Sequence, residues 1–183
     1  MRGVKGFKED GRDDYVEDDE FQKVWNHADH CLRDAMDLAY LSGWRPADLR
    51  RSTEMDIREG VLHSRQGKTG KKLRVQITPA MEQILERIRE RKRKHRVYCT
   101  FLIVNSRGRP VGKRGLSDRW KEATEKAGLA GIQFRDLRAK AGTDKAGNTG
   151  DIRQAQKQLG HSTVTMTEHY VRRRRGDTVT PTK

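Results

Sequence analysis

Apolar residues recur at helical spacing through Leu32, Ala35, Met36, Ala39 and Tyr40, which predicts a helix with one buried face. Ser42-Gly43 closes it, and Pro46 suits the first turn of a second, short helix. Arg45 is therefore expected at a helix-to-helix turn. Upstream, either Asp18 or Asp19 can cap a first helix. Between Met55 and Ile77 the period changes. Short segments at Met55–Arg58, Val61–Ser64 and Leu73–Ile77 read as strands, separated by turns at Glu59-Gly60 and Gly67-Lys68-Thr69-Gly70. They predict a small three-stranded antiparallel sheet.

Thr78 and Pro79 then open a helix whose stripe is Met81, Ile84, Leu85 and Ile88. Its far end, Arg87 to Arg96, is almost all basic and is read equally as a solvated face or a contact to nucleic-acid backbone. Phe101–Val104 is expected to be a short strand. Leu116, Trp120, Ala123 and Ala127 mark a further helix ending at Gly128, and others are expected from about Arg135, at Ile152–Leu159 and at Thr163–Val171. The fold class is thus mainly α with a small three-stranded antiparallel β-sheet.

The 183 residues suffice for one domain with its own core. Formal net charge is +14, distributed unevenly. Residues 1–20 carry −4, so the remainder carries +18, which points to a polyanionic partner, nucleic acid first. Residues 1–18 read as a flexible acidic linker, 19–172 as the folded domain and 173–183 as a basic tail. No apolar run approaches the roughly 20 residues of a membrane span, and the charged first 20 residues do not form a signal peptide. Cys31 and Cys99 lack metal-ligand spacing and are read as reduced thiols, in keeping with a cytoplasmic location.

Chemistry is concentrated in isolated polar positions. They are Ser42-Gly43-Trp44-Arg45, Gln66-Gly67-Lys68-Thr69-Gly70-Lys71, Phe134-Arg135-Asp136-Leu137-Arg138, and Leu159-Gly160-His161 with Tyr170 nine residues further on. Displacement at a phosphodiester needs an in-line nucleophile, cationic donors for the nonbridging oxygens and an acid for the departing oxygen. Arginine forks suit the second task, being always charged and able to hold two oxygens. The sequence shows no convincing metal cluster, so the expected mechanism uses neither metal nor other cofactor.

In order and spacing this set resembles the catalytic domain of the tyrosine recombinases, the phage-integrase family. The resemblance implies that Tyr170 is the nucleophile forming a 3′-phosphotyrosyl link. Arg45, Arg138 and His161 would stabilise the transition state, and Lys68 would protonate the leaving 5′ oxygen. Where the family usually has histidine, three residues before the second arginine, this chain has Arg135. Arginine cannot serve as a base at neutral pH but can hold phosphate or favour the phenolate. The implied partners are double-stranded DNA attachment sites and a homotetramer on DNA, in a bacterial host cell. The chain is expected to be a fragment of a longer integrase, largely monomeric in isolation. Two other readings stay open: a type IB topoisomerase-like enzyme, and a DNA-binding module that has lost activity.

Overall fold

A computed structural model of the chain describes residues 15–175. In chain order its elements are α1 (Asp18–His27), α2 (His30–Ser42), α3 (Pro46–Leu49), β1 (Ile57–Arg58), β2 (Val61–Arg65), β3 (Lys72–Gln76), α4 (Pro79–Lys94), α5 (Lys113–Lys126), α6 (Asp136–Thr149), α7 (Ile152–Leu159) and α8 (Val164–Arg175). The fold is mainly helical with one three-stranded antiparallel sheet, ordered β1-β2-β3. Val61 faces Gln76 and Arg65 faces Lys72, which places buried Leu62 and Leu73 on the core side of the hairpin.

Helix α2 is the hub. Leu32, Ala35, Met36, Leu38 and Ala39 are all buried, and the helix packs against α1, α3, α4, α5 and α6. Such all-round burial is available only to a helix with small and aliphatic residues on several faces. Helix α6 is the second hub, packed on α2, α7 and α8, with Leu137, Ala139 and Ala141 in the core. The C-terminal end of α2 leads into Arg45, and the N-terminal end of α6 carries Arg138.

The expected first-helix region holds, with Glu17 rather than an aspartate at the N-cap, closed by a reciprocal bond with Glu20. Of the segment expected to be a flexible linker, residues 1–14 lie outside the described residues. Val16 is fully buried, so the packed region extends ahead of residue 19. A latch fixes it there. The Tyr15 and Tyr40 hydroxyls both donate to Asp144, and buried Lys140 on α6 pairs with Asp18 at 2.5 Å and Asp144 at 3.2 Å.

Phe101–Val104 does not form a strand. Phe101 bridges Thr53 and Val104 bridges Pro110 as isolated pairs. Leu102, Ile103 and Val104 are buried between loops, and Pro110 has no N–H with which to extend a ladder. The basic end of α4 also resolves. Arg87 and Arg91 pair with Asp34, Arg87 also with Asp37, Arg89 with Glu54 and Glu82, and Arg93 with Glu86. Much of the run therefore ties α4 to α2 and to the loop before β1. No helix among the described residues is long and apolar enough to cross a membrane.

Candidate active site

Helix α2 ends at Gly43, whose left-handed backbone (φ +66°) turns the chain sharply. Trp44 follows, buried, and Arg45 then occupies the N-cap of α3 with Pro46 behind it. This turn aims Arg45 into a cavity of about 1450 Å3, and its Nη1 is buried there without a hydrogen-bond partner among the described residues. A buried unpaired donor is costly, so the site is built for an acceptor.

Arg138 enters the same cavity from the first turn of α6 and is 5% exposed. Its two terminal nitrogens donate to the Gly43 and Leu159 carbonyls, each at 2.6 Å. Those carbonyls lie at the ends of α2 and α7, where helix dipoles place partial negative charge. Burial, followed by the nearby Arg45 charge, lowers the Arg138 pKa to about 10. The group stays protonated at neutral pH. Two guanidinium charges thus repel each other across the cavity, a tension that an anion between them relieves.

Gly160 caps α7 in the left-handed region (φ +67°) and leads into buried His161. The His161 Nδ1 lies 3.1 Å from the Thr167 hydroxyl oxygen. Burial, then Arg138, Arg45 and Lys71, push its pKa down to about 4, so the ring is neutral at pH 7. Tyr170 on α8 sets its ring edge-on to His161, centroids 5.5 Å apart at 81°. Tyr170 favours the charged form of the Arg138 guanidinium, a small effect beside burial and Arg45.

Lys68 sits in the β2–β3 turn, exposed, and lines the cavity. The turn is fastened on three sides. The Gly67 N–H donates to Asp48 at 3.0 Å, the Gln66 side-chain amide donates to the Leu159 carbonyl at 3.0 Å, and Lys71 Nζ donates to the His161 carbonyl at 3.3 Å. The Leu159 carbonyl is therefore shared by Arg138 and Gln66. Arg135, at the α6 N-cap, is exposed and also lines the cavity, one turn ahead of Arg138.

All six residues expected from the sequence, Arg45, Lys68, Arg135, Arg138, His161 and Tyr170, thus line one cavity. Sequence reasoning missed Gln66 and Thr167, which hold the others. Gln66 is an ordinary polar residue whose partner, the Leu159 carbonyl, lies 93 residues along the chain, and Thr167 meets the His161 ring only because the chain turns between Gly160 and α8. It also missed Arg50, Lys113 and Lys121, which extend the cationic lining, and the wall in which Trp120 meets Phe134 edge-on at 5.4 Å. Among the described residues no group of three or more His, Cys, Asp or Glu could hold a metal ion.

Two consequences are measurable. A Cβ on Gly160 would lie 2.8 Å from both Gln66 Nε2 and Leu73 Cδ2, on a backbone that side chains rarely adopt. Gly160→Ala is expected to lower unfolding free energy by on the order of 3 kcal/mol in urea titration. His161 gives a pH signature. Its folded pKa lies below the usual 6.5, so its neutral form favours folding. That contribution is present above pH 6.5 and is lost as pH falls toward 4, where only the unfolded chain takes the proton. In His161→Gln, the decline of melting temperature across this window is expected to be shallower.

Residues 15–176 match the phage integrase family. The integrase of Escherichia phage HK022 is 29% identical over 150 residues, covering 76% of this chain and 40% of that protein. The tyrosine recombinase XerC of Staphylococcus saprophyticus is 30% identical over 157 residues, covering 82% of this chain and 52% of that one. Among solved structures, a lambda integrase dimer bound to a COC' core site superposes with a TM-score of 0.83 at 25% identity, covering 98% of this chain and 54% of that chain. The lambda integrase catalytic core superposes at 0.71, also 25% identical, covering 81% of this chain and 91% of that one. The chain therefore spans about half or less of the curated relatives it matches.

Proposed function

Because the chain belongs to the phage integrase family, we propose that it is the catalytic part of a site-specific DNA recombinase. The observation that carries this reading is the convergence on one cavity of Tyr170, two guanidinium groups, a neutral histidine and the lysine of the β2–β3 turn. The unpaired Nη1 of Arg45 marks where a phosphate oxygen fits. Residues 15–175, in which Val16 is buried and α8 ends at Arg175, belong to the catalytic domain in this reading.

The Tyr170 phenol oxygen attacks the scissile phosphorus. The bond from phosphorus to the 5′ oxygen breaks, leaving a 3′-phosphotyrosyl link and a 5′ hydroxyl. Arg45 and Arg138 hold the nonbridging oxygens through charge-assisted bonds that strengthen as negative charge develops. His161, being neutral, contributes a hydrogen bond rather than charge. Lys68 supplies the proton to the departing 5′ oxygen. Arg135 remains charged and draws the phosphate toward the nucleophile. A 5′ hydroxyl from a partner strand reverses the step without ATP. Tyr170 lies in the cradle of its own chain, which favours cleavage in cis.

The substrate is double-stranded DNA, in line with the charge of +14 and the cationic lining of Arg50, Lys113 and Lys121. The lambda integrase tetramer bound to a Holliday junction, which superposes with a TM-score of 0.82 at 25% identity, is the assembly extended here to a homotetramer of this protein on DNA. The work site is the cytoplasm of a bacterial host. The test is a nicked duplex carrying the attachment sequence of the encoding genome, whose cleaved fragment diffuses away and traps the intermediate. A covalent protein–DNA band supports the reading; binding without a band leaves a DNA-binding module, and relaxation of any plasmid points to a topoisomerase.

The lysine role has its own test. Lys68→Ala is expected to slow cleavage about 100-fold or more, the usual worth of general acid catalysis. Replacing the bridging 5′ oxygen with sulfur is expected to restore the variant's rate, since a thiol of pKa about 8.5 departs unprotonated. An unrestored rate would assign Lys68 to DNA binding instead.

A further inference from the structure

Thr167 is 0% exposed, on the helix that carries Tyr170, and has two neighbours for its hydroxyl. One is His161 Nδ1 at 3.1 Å; the other is the Thr163 carbonyl at 3.5 Å, one turn back in the same helix. A hydroxyl has one proton to give. Both contacts are longer than the ordinary hydroxyl bond, which weakens with distance, so the nearer acceptor is favoured for the proton. The helical carbonyl, the usual recipient of a threonine hydroxyl in a helix, stands farther off and makes the weaker bond.

We infer that Thr167 is a positioning residue: its hydroxyl donates to His161 Nδ1 and thereby holds the imidazole hydrogen on Nε2. The hydrogen bond made at one ring nitrogen sets the state of the other. A neutral ring has a single hydrogen, and burial, with Arg138, Arg45 and Lys71 beside it, keeps the ring neutral. Nε2 is then the nitrogen left for a ligand in the cavity that His161 lines, and it meets that ligand as a donor. A phosphate oxygen is matched; a phenol proton is refused. Arg135 refuses it as well. The Tyr170 proton therefore leaves by way of water or the phosphate, and His161 serves the oxyanion in both directions of the reaction.

The rate part of this inference rests on the recombinase reading; the tautomer part does not. The experiment is nitrogen-15 NMR of the histidine rings in the whole chain, with His161→Gln assigning the resonance, paired with adduct formation on the nicked duplex. Thr167→Val keeps the side-chain shape and removes the donor, while Thr167→Ser keeps the donor and removes a methyl. In the wild type, Nδ1 is expected to be bare and Nε2 protonated. Thr167→Val is expected to mix the two tautomers and slow adduct formation about 10- to 100-fold, as loss of a histidine's orienting partner commonly does, with DNA binding unchanged. Thr167→Ser is expected to restore both. A wild-type ring protonated at Nδ1, a tautomer indifferent to Thr167→Val, or a serine variant as impaired as the valine one would overturn the inference. A tautomer that responds as described in a chain that never forms an adduct counts for Thr167 and against the recombinase reading.

Discussion

Tyr170→Phe is expected to form no covalent adduct with a nicked duplex while binding it within about twofold of the wild type. The substitution deletes one oxygen. The ring keeps its edge-on contact with His161, and α8 keeps its packing on α6 and α7. The other hydroxyls lining the cavity among the described residues, Ser117 and Thr124, both stand on α5, and Thr124 spends its proton on the Trp120 and Lys121 carbonyls. The measurement is a denaturing gel, on which only a covalent complex migrates as a shifted band. A residual band in the phenylalanine variant would transfer the nucleophile's role to another residue.

The second large effect separates the two arginines. Arg138→Ala is expected to cost both catalysis and folding. Removing one preorganised donor to a developing oxyanion lowers rates by about 100- to 1000-fold. The same change strips the buried Gly43 and Leu159 carbonyls of a partner, although Gln66 still donates to Leu159. An unmet buried polar group costs about 1–3 kcal/mol, so the melting temperature falls as well. Arg45→Ala is expected to lose a similar factor in rate with little loss of stability, because its Nη1 has no partner among the described residues to abandon. Adduct kinetics and thermal denaturation, run side by side, check the contrast. Equal destabilisation by both variants would mean that Arg45 is a structural residue.

The difference between these arginines also explains what the sequence could and could not disclose. Arg45 was legible because its local signals are strong: a glycine helix stop two residues before it and a proline helix start after it. Tyr170 and His161 were legible because one glycine cap and nine residues of chain fix their relation. Arg138 was legible as an arginine near a helix start, but its grip on two distant carbonyls was not. That grip depends on α2 and α7 ending at the same place, which is a tertiary fact. The role of Gln66 is hidden for the same reason, since the carbonyl it holds lies 93 residues away.

The misread Phe101–Val104 segment has the complementary cause. Its apolar run correctly signals burial, but burial alone does not supply a pairing strand, and Pro110 offers no donor. The basic run of α4 could be read two ways because its acidic partners, Asp34, Asp37 and Glu54, lie 35 to 57 residues away. Val16 was assigned to an acidic leader on composition, yet one apolar residue beside a tyrosine suffices to anchor that stretch when Lys140 and Asp144 wait on α6.

The central claim is that the Tyr170 oxygen meets a phosphorus atom held by Arg45 and Arg138. It is tested most directly by digesting the trapped protein–DNA complex with protease and nuclease and weighing the modified peptide. The account predicts a nucleotide joined through its 3′ phosphate to the peptide containing Tyr170. A nucleotide on any other residue, or one joined through a 5′ phosphate, would contradict it.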